Sequence, residues 1–248
     1  MTDYKVGEPA EALVLEAVTA GYDDTVVLEN LSFRLGRGES VSVIGRNGVG
    51  KTTLLATVIG HTTLHSGRVT FQGKDITRMP VHRRALAGLG YVPQEREIFP
   101  SLTVRENLQI AARQGRWTIE SVFDLFPKIA ERSSHMGNHL SGGEQQMLSI
   151  ARALVGNSSV LLMDEPTEGL APVIVEDLVE SMNSLRADEG LAIVLVEQHS
   201  GIALEFSERT VVMNRGRIVY DGASVELRSD RALLDSLIGV VKADGQAA

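Results

Sequence analysis

One octet, Gly45-Arg46-Asn47-Gly48-Val49-Gly50-Lys51-Thr52, constrains this chain more than any other stretch. It follows the β-branched run 40–44 and precedes helix-compatible sequence beginning near Lys51, so it predicts a tight turn from a buried strand into a helix. Glycines at three of its positions let backbone N–H groups close around an anion, and the helix N-terminus adds a favourable dipole. A lysine that reaches phosphate and a threonine that can hold a phosphate-bound cation complete the pattern. Gly45, Asn47, Gly48, Gly50, Lys51, Thr52 and the adjacent Thr53 are therefore candidate contacts to ATP, with Thr52 also a candidate Mg2+ ligand.

The rest of the chain supplies a sheet for that turn. Residues 13–18, 40–44, 69–71, 90–92, 160–163, 192–196 and 210–213 read as strands, several of them followed by helical pattern. The runs 160–163 and 192–196 are continuously apolar, as in parallel strands covered on both faces. A layered α/β core follows. Between 104 and 154 the pattern is helical with no strand, which predicts a helical subdomain, about 101–156, inserted into the sheet domain. Asn214-Arg215-Gly216 between two β-branched runs signals a hairpin, with Gly216 supplying a positive φ. One domain is expected over 11–240, with loose ends at 1–10 and 242–248, and no internal repeat.

Asp164 and Glu165 end the apolar run 160–163, at the sheet edge where ligands collect in α/β folds. An aspartate there suits a metal-held phosphate, and a glutamate one residue on suits a group that orients and polarises an attacking water. Leu140-Ser141-Gly142-Gly143-Glu144-Gln145 is a second glycine turn opening a helix, expected over 144–154, with Ser141 placed to cap.

With these motifs on the page, the chain is identified as resembling the ATP-binding subunits of ABC transporters, over roughly residues 13–222. The resemblance implies a mixed sheet, largely parallel, an N-terminal antiparallel β-region, ATP with Mg2+ as cofactors, and catalytic roles for Lys51 and Glu165. Asp164 would bind the metal. It also implies that Ser141, Gly142 and Gly143 meet the γ-phosphate held by a second subunit, so the working unit is a dimer, either of identical chains or with a second ATPase. Tyr22 matches the aromatic that stacks on adenine. Gln94, in Tyr91-Val92-Pro93-Gln94, matches the glutamine that touches magnesium and links the sheet domain to the helical subdomain.

Two positions depart from the commonest ABC pattern. The aspartate usually found a few residues after Asp164-Glu165-Pro166-Thr167 is replaced by the run Gly169-Leu170-Ala171-Pro172. The usual switch histidine gives way to Gln198, with His199 one step later; register favours Gln198 as the γ-phosphate sensor, and a bulged loop would bring in His199 instead. Both departures resemble the LivF-type subunit of branched-chain amino-acid importers. Urea, short-amide and aromatic-acid importers use similar subunits.

Composition narrows the alternatives. Lys+Arg 24 against Asp+Glu 32 gives a net charge of −8 with no basic run, which argues against a nucleic-acid partner, and cysteine is absent. About 90 residues separate Lys51 from Ser141 and each motif occurs once, unlike DNA-repair or ribosome-acting ABC ATPases. No stretch reaches the roughly 18 apolar residues that span a bilayer. The expectation is an ATPase on the cytoplasmic face of the inner membrane, held there by two permease subunits. A substrate-binding protein would deliver branched-chain or other hydrophobic amino acids. A weakly hydrolysing regulatory subunit is the alternative. Ile98, Phe99 and Leu102 are candidate permease contacts, or else pack into the helical subdomain.

Overall fold

Strands that are apolar at every position need cover on each face, and the computed structural model, which describes residues 11–186 and 190–239, supplies it. In chain order the elements are β1 (Glu11–Tyr22), β2 (Thr25–Gly36), β3 (Ser40–Ile44), α1 (Lys51–Ile59), β4 (Thr63–Phe71), β5 (Lys74–Asp75), α2 (Val81–Ala87) and β6 (Leu89–Val92). Then come α3 (Val104–Ala111), α4 (Ile119–Leu125), α5 (Pro127–Glu131), α6 (Gly142–Val155), β7 (Val160–Asp164) and α7 (Pro172–Arg186). The described chain ends with β8 (Ala192–Glu197), α8 (Ser200–Phe206), β9 (Arg209–Asn214), β10 (Arg217–Ala223), α9 (Ser224–Ser229) and α10 (Arg231–Leu237). The expected loose ends at 1–10 and 242–248 lie outside the described residues.

Two sheets result. One has six strands in the order β10-β9-β3-β8-β7-β6, parallel except for the antiparallel pair β9–β10. The other is antiparallel, β2-β1-β4-β5. Alternation along β7 and β8 divides their side chains between two cores: Val160, Leu162, Ala192 and Val194 pack with α1 and the antiparallel sheet, through Leu54, Val58 and Phe71. Leu161, Met163, Ile193 and Leu195 pack with the helices, through Leu108, Phe126, Leu148 and Leu178. Each Val, Leu, Ile, Met or Phe buried in this way is worth about 1.5–3 kcal/mol.

All seven strands read from sequence are present, together with β2 and the two-residue β5, neither of which was anticipated. In β2 the alternation Leu31, Phe33, Leu35 points inward, but a register shift against β1 and a positive φ at Asn30 (47°) break the period ahead of it, so no clean alternation runs through the whole strand. The hairpin between β9 and β10 turns through Arg215 (φ 47°) and Gly216 (φ 74°), the two positive values a tight two-residue connection requires. Between β6 and β7 the named elements are helical; α3 and α4 begin with reciprocal caps, Thr103 with Glu106 and Thr118 with Ser121. Among the described residues no helix is long and apolar enough to cross a membrane.

Candidate active site

Three strands end together. Ile44 of β3 lies beside Glu197 of β8, and Val196 lies beside Asp164 of β7, so the glycine octet, the Asp164-Glu165 pair and the segment after β8 emerge at one edge of the six-stranded sheet. Gly50 caps α1 in a left-handed conformation, φ 106°, without any side-chain hydrogen bond, and the first turn carries no acid. The first N–H groups of α1 are thus left for a ligand. At Gly48 the φ of 77° favours glycine although nothing lies within 4 Å of where a Cβ would stand, so the surface there is open.

Lys51 and Glu165 are both buried and pair at 3.0 Å. The Lys51 ammonium also donates to Gly45 O at 3.0 Å and Arg46 O at 3.3 Å, which holds it across the mouth of the loop. Thr52 Oγ1 donates to Asp164 Oδ1 at 3.2 Å, and the Tyr91 hydroxyl donates to Oδ2 at 3.4 Å. Asp164 is 0% exposed and Glu165 7%, so neither is the solvated strand end that such a pair usually makes. Burial pushes the Asp164 carboxyl up to about 6, the hydrogen bond from Thr52 opposes it, and the Glu165 charge raises it further. Burial and the Asp164 charge likewise raise the Tyr91 phenol.

Two buried carboxyls facing one lysine leave room for further positive charge, and a hydroxyl with a carboxylate is an all-oxygen set suited to a hard divalent cation. No group of three or more His, Asp or Glu among the described residues is arranged to hold a metal alone.

Asn47, Gly48, Gly50, Lys51, Thr52, Thr53, Gln94 and Glu165 line a single cleft of 230 Å³. The Gln94 amide donates to the Glu168 carboxylate. Beside it, a second cleft of 380 Å³ is lined by Gly45, Arg46, Asn47 and Gln198. His199 is not part of that lining; it heads α8 as the residue before its first turn. Tyr22, 46% exposed at the tip of the β1–β2 hairpin, lines neither cleft. Ser141, Gly142 and Gly143 stand apart on the helical layer, where α6 starts at Gly142, two residues earlier than the sequence suggested.

Of the candidate permease contacts, Ile98 packs against the helical core while Phe99 is 44% exposed beneath the Arg152 guanidinium, 5.2 Å from its ring centre. Both line a groove of 640 Å³ with Leu89, Ile110 and Arg113; Leu102 does not.

Sequence reasoning missed four residues at this edge. Tyr91 and Glu168 hold Asp164 and Gln94, and Thr167 donates to Glu197 through both its N–H (3.2 Å) and its hydroxyl (2.8 Å). The available signal was Glu197 itself, a charge closing an otherwise apolar strand.

The family model described as ABC transporter matches residues 28–168. The chain is 37% identical over 229 residues to a probable branched-chain amino acid transport ATP-binding protein, LivF, of Archaeoglobus fulgidus, covering 90% of this chain and 97% of the relative. It is 32% identical over 235 residues to the lipopolysaccharide export system ATP-binding protein LptB of Haemophilus influenzae, covering 92% and 97%. Among solved structures it is similar to a dimeric ATP-binding cassette in a post-hydrolysis state bound to ADP and Pi, with TM-score 0.75 and 25% identity over 86% of this chain and 98% of that one.

Proposed function

The chain belongs to the ABC transporter family of ATP-binding cassettes, whose members hydrolyse ATP, and we propose that it powers an importer of branched-chain or other hydrophobic amino acids. The observation that carries the ATPase part is the cleft in which an uncapped helix N-terminus, Lys51, Thr52 and Glu165 converge. Incoming phosphates compete with Glu165 for the Lys51 ammonium. Once Lys51 turns to the phosphates, the Glu165 carboxylate is free to accept a hydrogen bond from the water that attacks the γ-phosphorus. Magnesium, held by Thr52 and Asp164 with Gln94 in reach, would supply charge neutralisation on the phosphates. Gln198, which lines the neighbouring cleft with Gly45 and Asn47, would donate an amide N–H to the phosphate, and Tyr22 would offer a face for adenine.

Ser141, Gly142 and Gly143 lie outside the cleft of their own chain, and this supports a dimer in which they meet nucleotide bound to the other subunit, whether an identical chain or a second ATPase. Two permease subunits, on whose cytoplasmic side the dimer sits, would seat a helix in the groove at Ile98 and Phe99, with a substrate-binding protein feeding them. The Gly169-Leu170-Ala171-Pro172 and Val196-Glu197-Gln198 runs and the LivF relative favour amino-acid import over lipopolysaccharide export.

The test is reconstitution with the cognate permeases and binding protein. ATP-driven uptake of labelled leucine, lost in Lys51→Ala together with ATP binding, is the expected result. Uptake of urea or an aromatic acid in place of leucine would overturn the substrate, and ATP binding by Lys51→Ala at wild-type affinity would overturn the site.

A further inference from the structure

Glu165 occupies a backbone conformation that costs energy, with φ at 45° for a residue bearing a side chain. Such a residue stays in place only when its neighbours over-determine it, and here two pins do so. On the near side, Glu165 N–H donates to Val196 O at 2.9 Å. On the far side, Thr167 N–H and Thr167 Oγ1 both donate to the same carboxylate oxygen of Glu197, at 3.2 and 2.8 Å. Glu197 is 1% exposed and Thr167 3%. Burial raises the Glu197 carboxyl and the two Thr167 donors oppose that rise, so the group is held in a poor solvent by this turn. Its backbone lies in register beside Ile44, the residue before the glycine octet.

Building on the ATPase reading above, we propose that Glu197 is a positioning residue for hydrolysis: through Thr167 it locks the 165–167 turn to the end of β8 and so aims the Glu165 carboxylate. Glu197 is not among the residues that line the 230 Å³ cleft. Its effect on turnover passes through the direction of Glu165. Removing either partner lets the turn relax from its left-handed φ and swings the carboxylate off the water, while the phosphate cradle, built by β3 and α1, stays intact. Neighbours acting as one unit do not multiply their losses when both are removed.

The experiment compares Glu197→Ala, Thr167→Val, the double variant, Glu197→Gln and Thr167→Ser, with Glu165→Gln as control, reading ATP affinity by equilibrium binding, kcat by phosphate release, and thermal stability. Glu197→Ala and Thr167→Val should each lower kcat about 10- to 100-fold with ATP affinity within about twofold of wild type, and the double variant should be no slower than the slower single. Glu197→Gln, which keeps the accepting oxygen, and Thr167→Ser, which keeps the hydroxyl, should recover most of the loss. Multiplying losses in the double variant, ATP affinity falling in step with kcat, or Glu197→Gln as slow as Glu197→Ala would each overturn the proposal. If Glu197→Ala does not fold, the Thr167→Val and Thr167→Ser pair decides alone. Slow Glu165→Gln beside fast Glu197→Ala and Thr167→Val sinks only the positioning role; wild-type hydrolysis by Glu165→Gln sinks the assignment of Glu165 and this proposal with it.

Discussion

Two glycine-rich turns in this molecule open helices, and they treat their N–H groups in opposite ways. At α1 the cap is Gly50, no side chain makes a cap hydrogen bond, the first turn carries no acid, and a buried lysine crosses the mouth. At α6 the cap is Ser141, whose hydroxyl accepts from Glu144 N–H at 3.3 Å while Glu144 accepts from Ser141 N–H at 2.7 Å. The first end is left open to a ligand, while the second already has its cap and third-position N–H groups paired by Ser141 and Glu144. A motif rich in glycine therefore does not by itself say how strongly a helix end attracts an anion. The side chains at the cap and third positions decide, which is why α1 can hold phosphate alone whereas the α6 turn is suited to complete a site built mainly by another chain.

The largest expected effect tests the open end. Glu165→Gln removes the carboxylate that now pairs with Lys51 and, on the proposed mechanism, the group that orients the attacking water, so kcat should fall on the order of 10²–10³-fold. ATP binding, followed by a fluorescent nucleotide, should tighten, because phosphate no longer competes with a buried anion for Lys51. Weaker ATP binding in this variant would show that the Lys51–Glu165 pair does not oppose the ligand.

How much of this was readable beforehand follows from which interactions are local. The places of the octet, Asp164-Glu165 and Ser141-Gly142-Gly143 in the fold, a strand-to-helix turn, a strand end and a helix start, were legible because local residue type and spacing carry them. The buried strands were legible for the same reason. β2 was hidden by a register shift that breaks its alternation, and Tyr91, Thr167 and Glu168 were hidden because each acts on a residue from another strand or loop. Burial of Asp164 was likewise invisible, since the side chains of Tyr91 and Thr52 that cover it are 73 and 112 residues away in sequence.

Packing behind the closed end gives the next effect. A Cβ on Gly143 would stand 2.2 Å from Ile174 Cγ2, a methyl on a branched carbon that cannot swing clear, whereas one on Gly142 would meet the tip of the Arg96 guanidinium at 3.2 Å. Gly143→Ala should therefore destabilise the fold by about 1–3 kcal/mol, and Gly142→Ala by less than about 0.5 kcal/mol. Thermal unfolding separates them, at about 2–4 °C per kcal/mol for a chain of this size. Equal losses would mean that crowding is not what holds α6 against α7.

Beside the open end, Gln198 and not His199 shares a cleft with Gly45 and Asn47. Gln198→Ala should slow hydrolysis about tenfold, the rate equivalent of one neutral hydrogen bond of about 1.4 kcal/mol, with His199→Ala nearer wild type. The reverse order would place the histidine at the phosphate and make the open end more cationic than its geometry indicates.

The smallest effect probes the charge that closes α6. Although burial raises the Glu144 carboxyl, the hydrogen bonds from Ser141 and the pairing with Arg132 outweigh it, and the net shift is downward from the usual glutamate value. A carboxyl lowered in the fold contributes stability above its unfolded value and loses that contribution as pH falls through the folded one. Glu144→Gln keeps the capping geometry and removes the charge next to the helix dipole, so at pH 7 it should cost about 0.5–1 kcal/mol. The gap in unfolding temperature between wild type and variant should begin to close as pH falls below the usual glutamate value and vanish only below the lowered folded one, where both side chains are neutral. A gap that stays constant with pH would mean that shape and not charge satisfies this helix end, and the contrast with α1 would then rest on Ser141 alone.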